Sequence, residues 1–359
     1  MPLPIASALL VQCRPGFEKE VAAELEERAT LASIPGRATA VRERDGYLMF
    51  QLDEPLIWSE LQAALNWREL IFARQAWPVI HTIAALPSRD RVTPIVDALA
   101  KAGARVSSVM YEYPDTNEGK SRSGFCKRFA GPLENGLTQA GLLRPNGRDP
   151  QLQLFFPDEA QAWIGLGNTQ LTNAWPQGIA RLRMPSGAPS RSTLKLAEAL
   201  MCLLDEKERE RWLRPQGKAV DLGAAPGGWS WQLAQRGLYV TAIDNGPMDK
   251  QLLAGGMVTH VRADGFTWRP PRAVDWLVCD MVEQPSRIAT LMGDWSANKR
   301  CRHAIFNLKL PMKQRYAALL KCQDIIENKL NGVPHVLRFK QLYHDREEVT
   351  GYLSRTDFR

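Results

Sequence analysis

Residues Val220–Leu233 read VDLGAAPGGWSWQL. An aliphatic run, predicted to be a strand, enters a bend of small residues and leaves it into a helix carrying Trp229 and Trp231. Small residues let a ligand come close to the backbone. The rhythm continues outward from this bend. Short aliphatic runs recur at Ala219–Gly223, Leu238–Asp244, Val258–Asp264, Val274–Met281 and His303–Leu310, with helical segments between them. Alternation of this kind calls for a parallel sheet with helices on both faces. The C-terminal half is therefore expected to be α/β.

Upstream, RMPSGAPSRS (residues 183–192) is rich in Pro, Ser and Gly and reads as a linker. An apolar-faced helix, Thr193–Leu204, follows it. Before the linker the elements are mixed. Ala6–Cys13 reads as a strand, and Phe17–Ala29 as a helix with Phe17, Val21 and Leu25 on one face. Asp45–Leu52 reads as a strand, Leu56–Trp67 as a helix and Leu70–Val79 as a strand. A small α+β unit over residues 1–80 fits this mixture. A second unit, 81–182, would hold a helix at Asp90–Gly103, a strand at Val106–Pro114, a helical stretch at Gly124–Leu143 interrupted by Pro132, and two strands within Leu152–Gly167. The last domain would be residues 193–359.

Composition bounds the function. The chain has 359 residues, 45% hydrophobic and 24% charged, which suits a globular protein of more than one domain. No apolar run reaches the ~20 residues of a membrane span. The opening MPLPIASALLVQCRPG lacks a basic n-region and an A-x-A site, so it reads as a strand and not a signal peptide. The six cysteines form no C-x-x-C pair, and the five histidines are scattered. Both features argue against a disulfide framework or a metal site. A reduced, cytoplasmic protein is expected, with no membrane and no obligate protein partner. The net charge of +7 is compatible with a polyanionic partner.

In open α/β sheets, ligands sit beyond the carboxyl ends of the strands. The aliphatic runs end in Asp221-Leu222-Gly223, Asp244, Asp264 and Asp280. A triphosphate loop needs G-K-[ST], but Trp229 follows Gly228. A dinucleotide turn needs G-x-G-x-x-G, and successive acids would crowd its pyrophosphate. A ligand with a ribose diol, an adenine amine and a cationic amino-acid head suits the acids better. S-adenosyl-L-methionine has all three.

The acceptor is read from what surrounds the bend. Asp280 is followed by Met281-Val282-Glu283, not by the [DN]-P-P-[YFW] of many amino-methylating enzymes. Cytosine C5 chemistry would need a thiolate. Cys279 is adjacent to Asp280 in the same predicted strand, so the two face opposite sides. Lys309 stands among apolar residues near a strand end, where buried lysines are rare. Lys195 follows the linker, and Glu347 and Glu348 precede a last strand. Two lysines, an aspartate and a glutamate make a hydroxyl-methylating set. A lysine that takes the hydroxyl proton must be partly neutral, which burial and a neighbouring cation favour.

These residues carry a resemblance. DLGAAPGGWS, Lys195, Asp280, Lys309 and REEV resemble the FtsJ-like RNA ribose 2′-O-methyltransferases and their K-D-K-E tetrad. CRPGFEKE, RVTPIV, DTNEGK, APSRSTLKL, IDNGPM, VCDMVE, IFNLKLPMK and QLYHDREEVT are similar to the RlmM-type branch. The resemblance implies a ferredoxin-like unit, an RNA-capturing THUMP domain and a Rossmann-like class I methyltransferase with a mostly parallel seven-stranded sheet. It implies methylation of a cytidine ribose in 23S rRNA, near the peptidyl transferase centre, on naked RNA or a precursor particle. S-adenosyl-L-homocysteine would be the product. By position, Lys309 becomes the proton acceptor and Lys195, Asp280 and Glu348 complete the tetrad, with Glu347 a close rival of Glu348. Ser192, Gly223, Ala225, Pro226, Gly227, Gly228, Asp244, Asp264 and Asp280 become the donor site. Lys120, Arg122, Lys127, Arg128 and Arg191 are candidates for RNA phosphates. The competing readings are an inert RNA-binding assembly factor and an RNA base methyltransferase.

Overall fold

The computed structural model describes residues 3–39, 41–145 and 147–357. They form two compact units, one ending at Ile179 and one beginning at Ala180. Each has its own seven-stranded sheet.

The first unit runs β1 (Ile5–Cys13), α1 (Glu18–Leu31), β2 (Gly36–Thr39), β3 (Tyr47–Ile57), α2 (Trp58–Ala64), β4 (Ala73–Ile83), α3 (Thr93–Lys101), β5 (Ser108–Glu112), α4 (Asn117–Gln139), β6 (Gln151–Phe155) and β7 (Ala162–Gly167). The strand order is β2-β3-β1-β4-β7-β6-β5. The expected boundary after residue 80 falls inside β4. One stretch of this strand pairs with β1, and its Val79–Ile83 end pairs with β7, which joins both halves in one sheet.

Pro132 does not interrupt the helix as expected, since α4 runs through it from Asn117 to Gln139. Proline removes one backbone donor and crowds the preceding turn. Here Phe125, Phe129, Leu133 and Leu137, four residues apart, form a stripe buried against Ile95, Leu99, Leu152 and Leu154. Packing spans the break, and Pro132 itself lies on the solvent side.

The second unit begins with residues that have neither helix nor strand through the expected linker. It then runs α5 (Thr193–Cys202), α6 (Glu206–Trp212), β8 (Lys218–Leu222), α7 (Gly228–Ala234), β9 (Tyr239–Ile243), α8 (Lys250–Ala254), β10 (Val258–Val261), β11 (Val274–Cys279), α9 (Pro285–Ala297), β12 (Cys301–Lys309), α10 (Arg315–Leu330), β13 (His335–Lys340) and β14 (Glu348–Arg355). The order is β10-β9-β8-β11-β12-β14-β13. The first five strands are parallel, while β14 is antiparallel to both β12 and β13. The fold is therefore an α/β sheet, mostly parallel with an antiparallel edge. The chain reverses direction across the sheet between β8 and β11, which opens the crevice where such sheets take ligands.

The central strands β8, β11, β12 and β14 are buried on both faces, which explains the unbroken aliphatic runs among them. Leu196, Leu200, Trp229, Leu233 and Trp276 belong to one core cluster. Ile288, Met292, Trp295, Leu319 and Ile326, from α9 and α10, are also buried. Among the described residues, no helix is long and apolar enough to cross a membrane.

Candidate active site

The bend after β8 is shaped by close packing. Gly227 has φ +116°, and a Cβ there would lie 2.4 Å from Leu252 Cδ2. Gly228 opens α7 so close to Ser192 that a Cβ would stand 2.3 Å from its Oγ. Glycine alone fits either position without displacement. Gly223, Ala225 and Pro226 complete the bend, with the Ala225–Pro226 peptide cis. Trp229, buried in the core, donates from Nε1 to the Ser192 carbonyl at 3.0 Å.

The strand-end acids separate by environment. Asp244 is half-buried and caps two loops: its Oδ2 accepts from Ala225 N at 2.9 Å and its Oδ1 from Gly246 N at 2.7 Å. Asp264 lies three residues past the end of β10, is exposed, and accepts from Phe266 N at 2.9 Å. That corrects its expected place at a strand terminus and gives it a turn role. Asp221, grouped with the strand-end acids but not named in the donor site, is buried on β8 and accepts from Ser230 Oγ at 2.7 Å. Burial pushes its carboxyl up to about 7, against the Ser230 bond, with help from Asp280 and Asp244. The charges of Asp280 and Asp244 thus both reach Asp221 at this edge of the sheet.

The tetrad residues meet. Lys309, the last residue of β12, is the cross-strand partner of Glu348, the first residue of β14. Lys309 Nζ donates to Asp280 Oδ1 at 2.9 Å and to Glu348 Oε2. Lys195, from α5, donates to Glu348 Oε1 and lies 3.4 Å from Asp280 Oδ2. Each carboxylate therefore bridges both amines. Glu348 has 6% of its side chain exposed, whereas Glu347 has 51% exposed and pairs with Arg315. The geometry thus separates the two rivals, because adjacent residues of a strand face opposite ways.

The lysine is not weakly basic in this arrangement. Burial pulls the Lys309 amine down, but Asp280 and Glu348 outweigh it and hold the amine above the ordinary lysine value. The expectation of lowered basicity fails because the nearest partners are anions, and anions favour the charged amine. Cys279 is fully buried, and burial pushes its thiol up to about 12, so it is no thiolate. Asn307 was also missed: its Nδ2 donates to Asp280 Oδ1 at 2.8 Å. Its position two residues before Lys309 on the same strand is the signal that could have found it.

In the first unit, Lys120, Arg122, Lys127 and Arg128 all lie on α4. Lys120, Lys127 and Arg128 are exposed, while Arg122 is half-buried beside Tyr47 and Pro114 in a separate cavity. Arg191 is exposed just before α5.

Comparison with known proteins covers nearly the whole chain. Residues 6–77 match the RlmM ferredoxin-like domain, residues 90–168 the N-terminal domain of ribosomal RNA large subunit methyltransferase M, and residues 188–343 the FtsJ-like methyltransferase. Ribosomal RNA large subunit methyltransferase M of Azoarcus sp. is 54% identical over 97% of this chain and 96% of its own. That of Thauera aminoaromatica is 53% identical over the same shares, 97% and 96%. That of Methylococcus capsulatus is 49% identical over 97% of this chain and 98% of its own. With about half of the residues identical over 97% of the chain, the chain belongs to the ribosomal RNA large subunit methyltransferase M family.

Proposed function

We propose that the protein transfers a methyl group from S-adenosyl-L-methionine to the ribose 2′-hydroxyl of a cytidine in 23S rRNA. The observation that carries this reading is the convergence of Lys195, Asp280, Lys309 and Glu348 at the carboxyl edge of the parallel sheet. When bound, the donor supplies an electrophilic methyl carbon whose bond to sulfur breaks as the bond to oxygen forms.

The chain's own residues do the rest. The Gly223–Gly228 bend, Asp244 and Ser192 hold the donor, with Asp264 at the rim. Lys309 holds the 2′-hydroxyl and takes its proton as the oxygen attacks. Its amine must first shed a proton, since Asp280 and Glu348 keep it charged in the free protein. One quarter of its side chain is exposed, so that proton has a path to water. An added cation in this acidic edge lowers the amine's basicity and favours the loss. Lys195 ties up the second oxygen of each carboxylate and keeps both acids in place. The first unit captures the RNA, its earlier part ferredoxin-like and its later part THUMP-like, with Lys120, Arg122, Lys127 and Arg128 of α4 on phosphates, and Arg191 of the second unit adds a further phosphate contact.

The test is Lys309→Ala. It is expected to bind the donor by calorimetry yet fail to label 23S rRNA. Full transfer by this variant rejects Lys309 as the base. Nucleoside mass analysis that places the methyl on a base favours base methylation, and absence of donor binding by the wild type favours an inert binding protein.

A further inference from the structure

We infer that Asn307, held in turn by Thr350 and by an un-ionised Asp345, is a positioning residue that sets the rotation of the Asp280 carboxylate between the two lysines. This rests on the proposed methyl transfer for its kinetic consequence, but its structural half stands apart from it.

The antiparallel ladder between β12 and β14 supplies the frame. Lys309 is opposite Glu348, and two residues along the same pair of strands Asn307 is opposite Thr350. With a period of two, both rungs present their side chains to the same side of the sheet. The outer rung holds the reacting amine. The inner rung is sealed, since Asn307 and Thr350 are both fully buried.

Hydrogen counting along this rung decides the protonation. Asn307 lies 2.8 Å from Asp280 Oδ1, and only its amide N–H2 can face a carboxylate at that distance. The amide oxygen must then face Thr350, whose Oγ1 is 2.7 Å away and has to donate. A hydroxyl has one hydrogen. Thr350 Oγ1 also lies 3.0 Å from Asp345 Oδ2, so that contact needs its proton from the carboxyl group. Asp345 is therefore a neutral acid that donates to Thr350, while Leu342 N reaches the same oxygen at 3.1 Å.

The surroundings agree. Asp345 is 1% exposed. Burial raises its carboxyl well above the usual range, with Glu348 and Glu198 adding to the rise and the Leu342 N–H bond and Lys195 opposing it. A charge on Asp345 would place a further anion beside Glu348. The donor chain then runs from Asp345 to Thr350, to Asn307 and to Asp280. Its last link leaves Asp280 Oδ1 shared by Asn307 and Lys309, with Oδ2 turned to Lys195.

Thr350→Val removes the hydroxyl at nearly constant volume, and Thr350→Ser keeps it. Thr350→Val is expected to lower kcat about tenfold, the size of one net hydrogen bond, with donor affinity within about twofold of wild type. Thr350→Ser is expected to restore most of the rate, which a purely packing role would not do. The second measurement needs no activity. An infrared band of a protonated carboxyl group is expected in the wild-type protein at about pH 8, where ordinary carboxylates are ionised, and to be missing in Asp345→Asn. Wild-type kcat in Thr350→Val, or no such band in the wild type, overturns the inference. A wild type that shows the band but methylates no RNA sinks the proposed reaction and leaves the neutral acid standing.

Discussion

Lys309 and Glu348 face each other across neighbouring antiparallel strands, and the same glutamate reaches Lys195 through its other oxygen. One carboxylate thus holds two amines that are far apart in the chain. Glu348→Gln keeps the shape and removes the charge. Its transfer rate is expected to fall on the order of 100-fold, the scale of losing a well-placed general base. Glu347→Gln, at an exposed carboxylate paired with Arg315, is expected to leave the rate unchanged. Single-turnover transfer to rRNA by the two variants checks the pair, and equal losses would reassign the tetrad glutamate.

The raised basicity of Lys309 fixes the sign of two pH effects. As a base, the amine works only when unprotonated, so kcat is expected to climb with pH through its ionisation. Glu348→Gln is expected to move that limb to lower pH, because a lost anion no longer favours the charged amine. For stability the ion pairs contribute fully below the ordinary lysine value of 10.5 and are lost as pH rises through the higher folded value. Thermal melts across that alkaline window should show a steeper fall in wild type than in Lys309→Met.

Asp221 acts with the same sign in a more acidic window. Its carboxyl is pushed from 3.8 to about 7 by burial, so its stabilising share is complete below 3.8 and is lost as pH rises to about 7. Asp221→Asn can still accept from Ser230 and never ionises. The variant is expected to be more stable than wild type by about 2–4 kcal/mol at about pH 8, with the gap closing toward about pH 4. Denaturation curves at the two pH values test this, and a variant less stable at both would remove the claim of a strained buried charge.

Cys279→Ala is expected to keep methyl transfer while costing about 1–2 kcal/mol of stability from lost packing. The sulfur is buried in the sheet with its thiol pushed up to about 12. A folded variant with no activity would bring back a thiolate mechanism at a cytosine base.

On α4, replacing the exposed Lys120, Lys127 and Arg128 together by alanine is expected to weaken RNA binding and reduce its salt slope by about 2, near the release of one counterion per phosphate contact. Donor affinity measured alongside should not change. An unaltered salt slope would mean that this helix face meets only water.

Much was legible before any coordinates. Aliphatic runs separated by helical segments announced the α/β sheet, because strands buried on both faces have no polar side to show. The small residues of Gly223–Gly228 announced a close approach. Pro132 misled, since the penalty of a local break is smaller than the gain from burying Phe125, Phe129, Leu133 and Leu137 along one stripe. Asp264 misled in the other direction, for β10 stops at Val261 and the acid turns a loop. Asn307 was passed over although it shares a face with Lys309, and Asp345 stayed hidden because a polar residue in a loop gives no hint of what lies opposite.

By itself, the sequence determined the succession of elements, the acids at the strand ends and the presence of a lysine in an apolar strand. These follow from local periodicity and residue size. Tertiary structure decided which glutamate meets the lysines and that Lys309 is held charged. Each depends on the register of β12 against β14, where a slip of one residue would turn Glu348 and Thr350 to the other face and bring Glu347 in their place. Protonation follows from the partners that register supplies, and no single stretch of chain contains them.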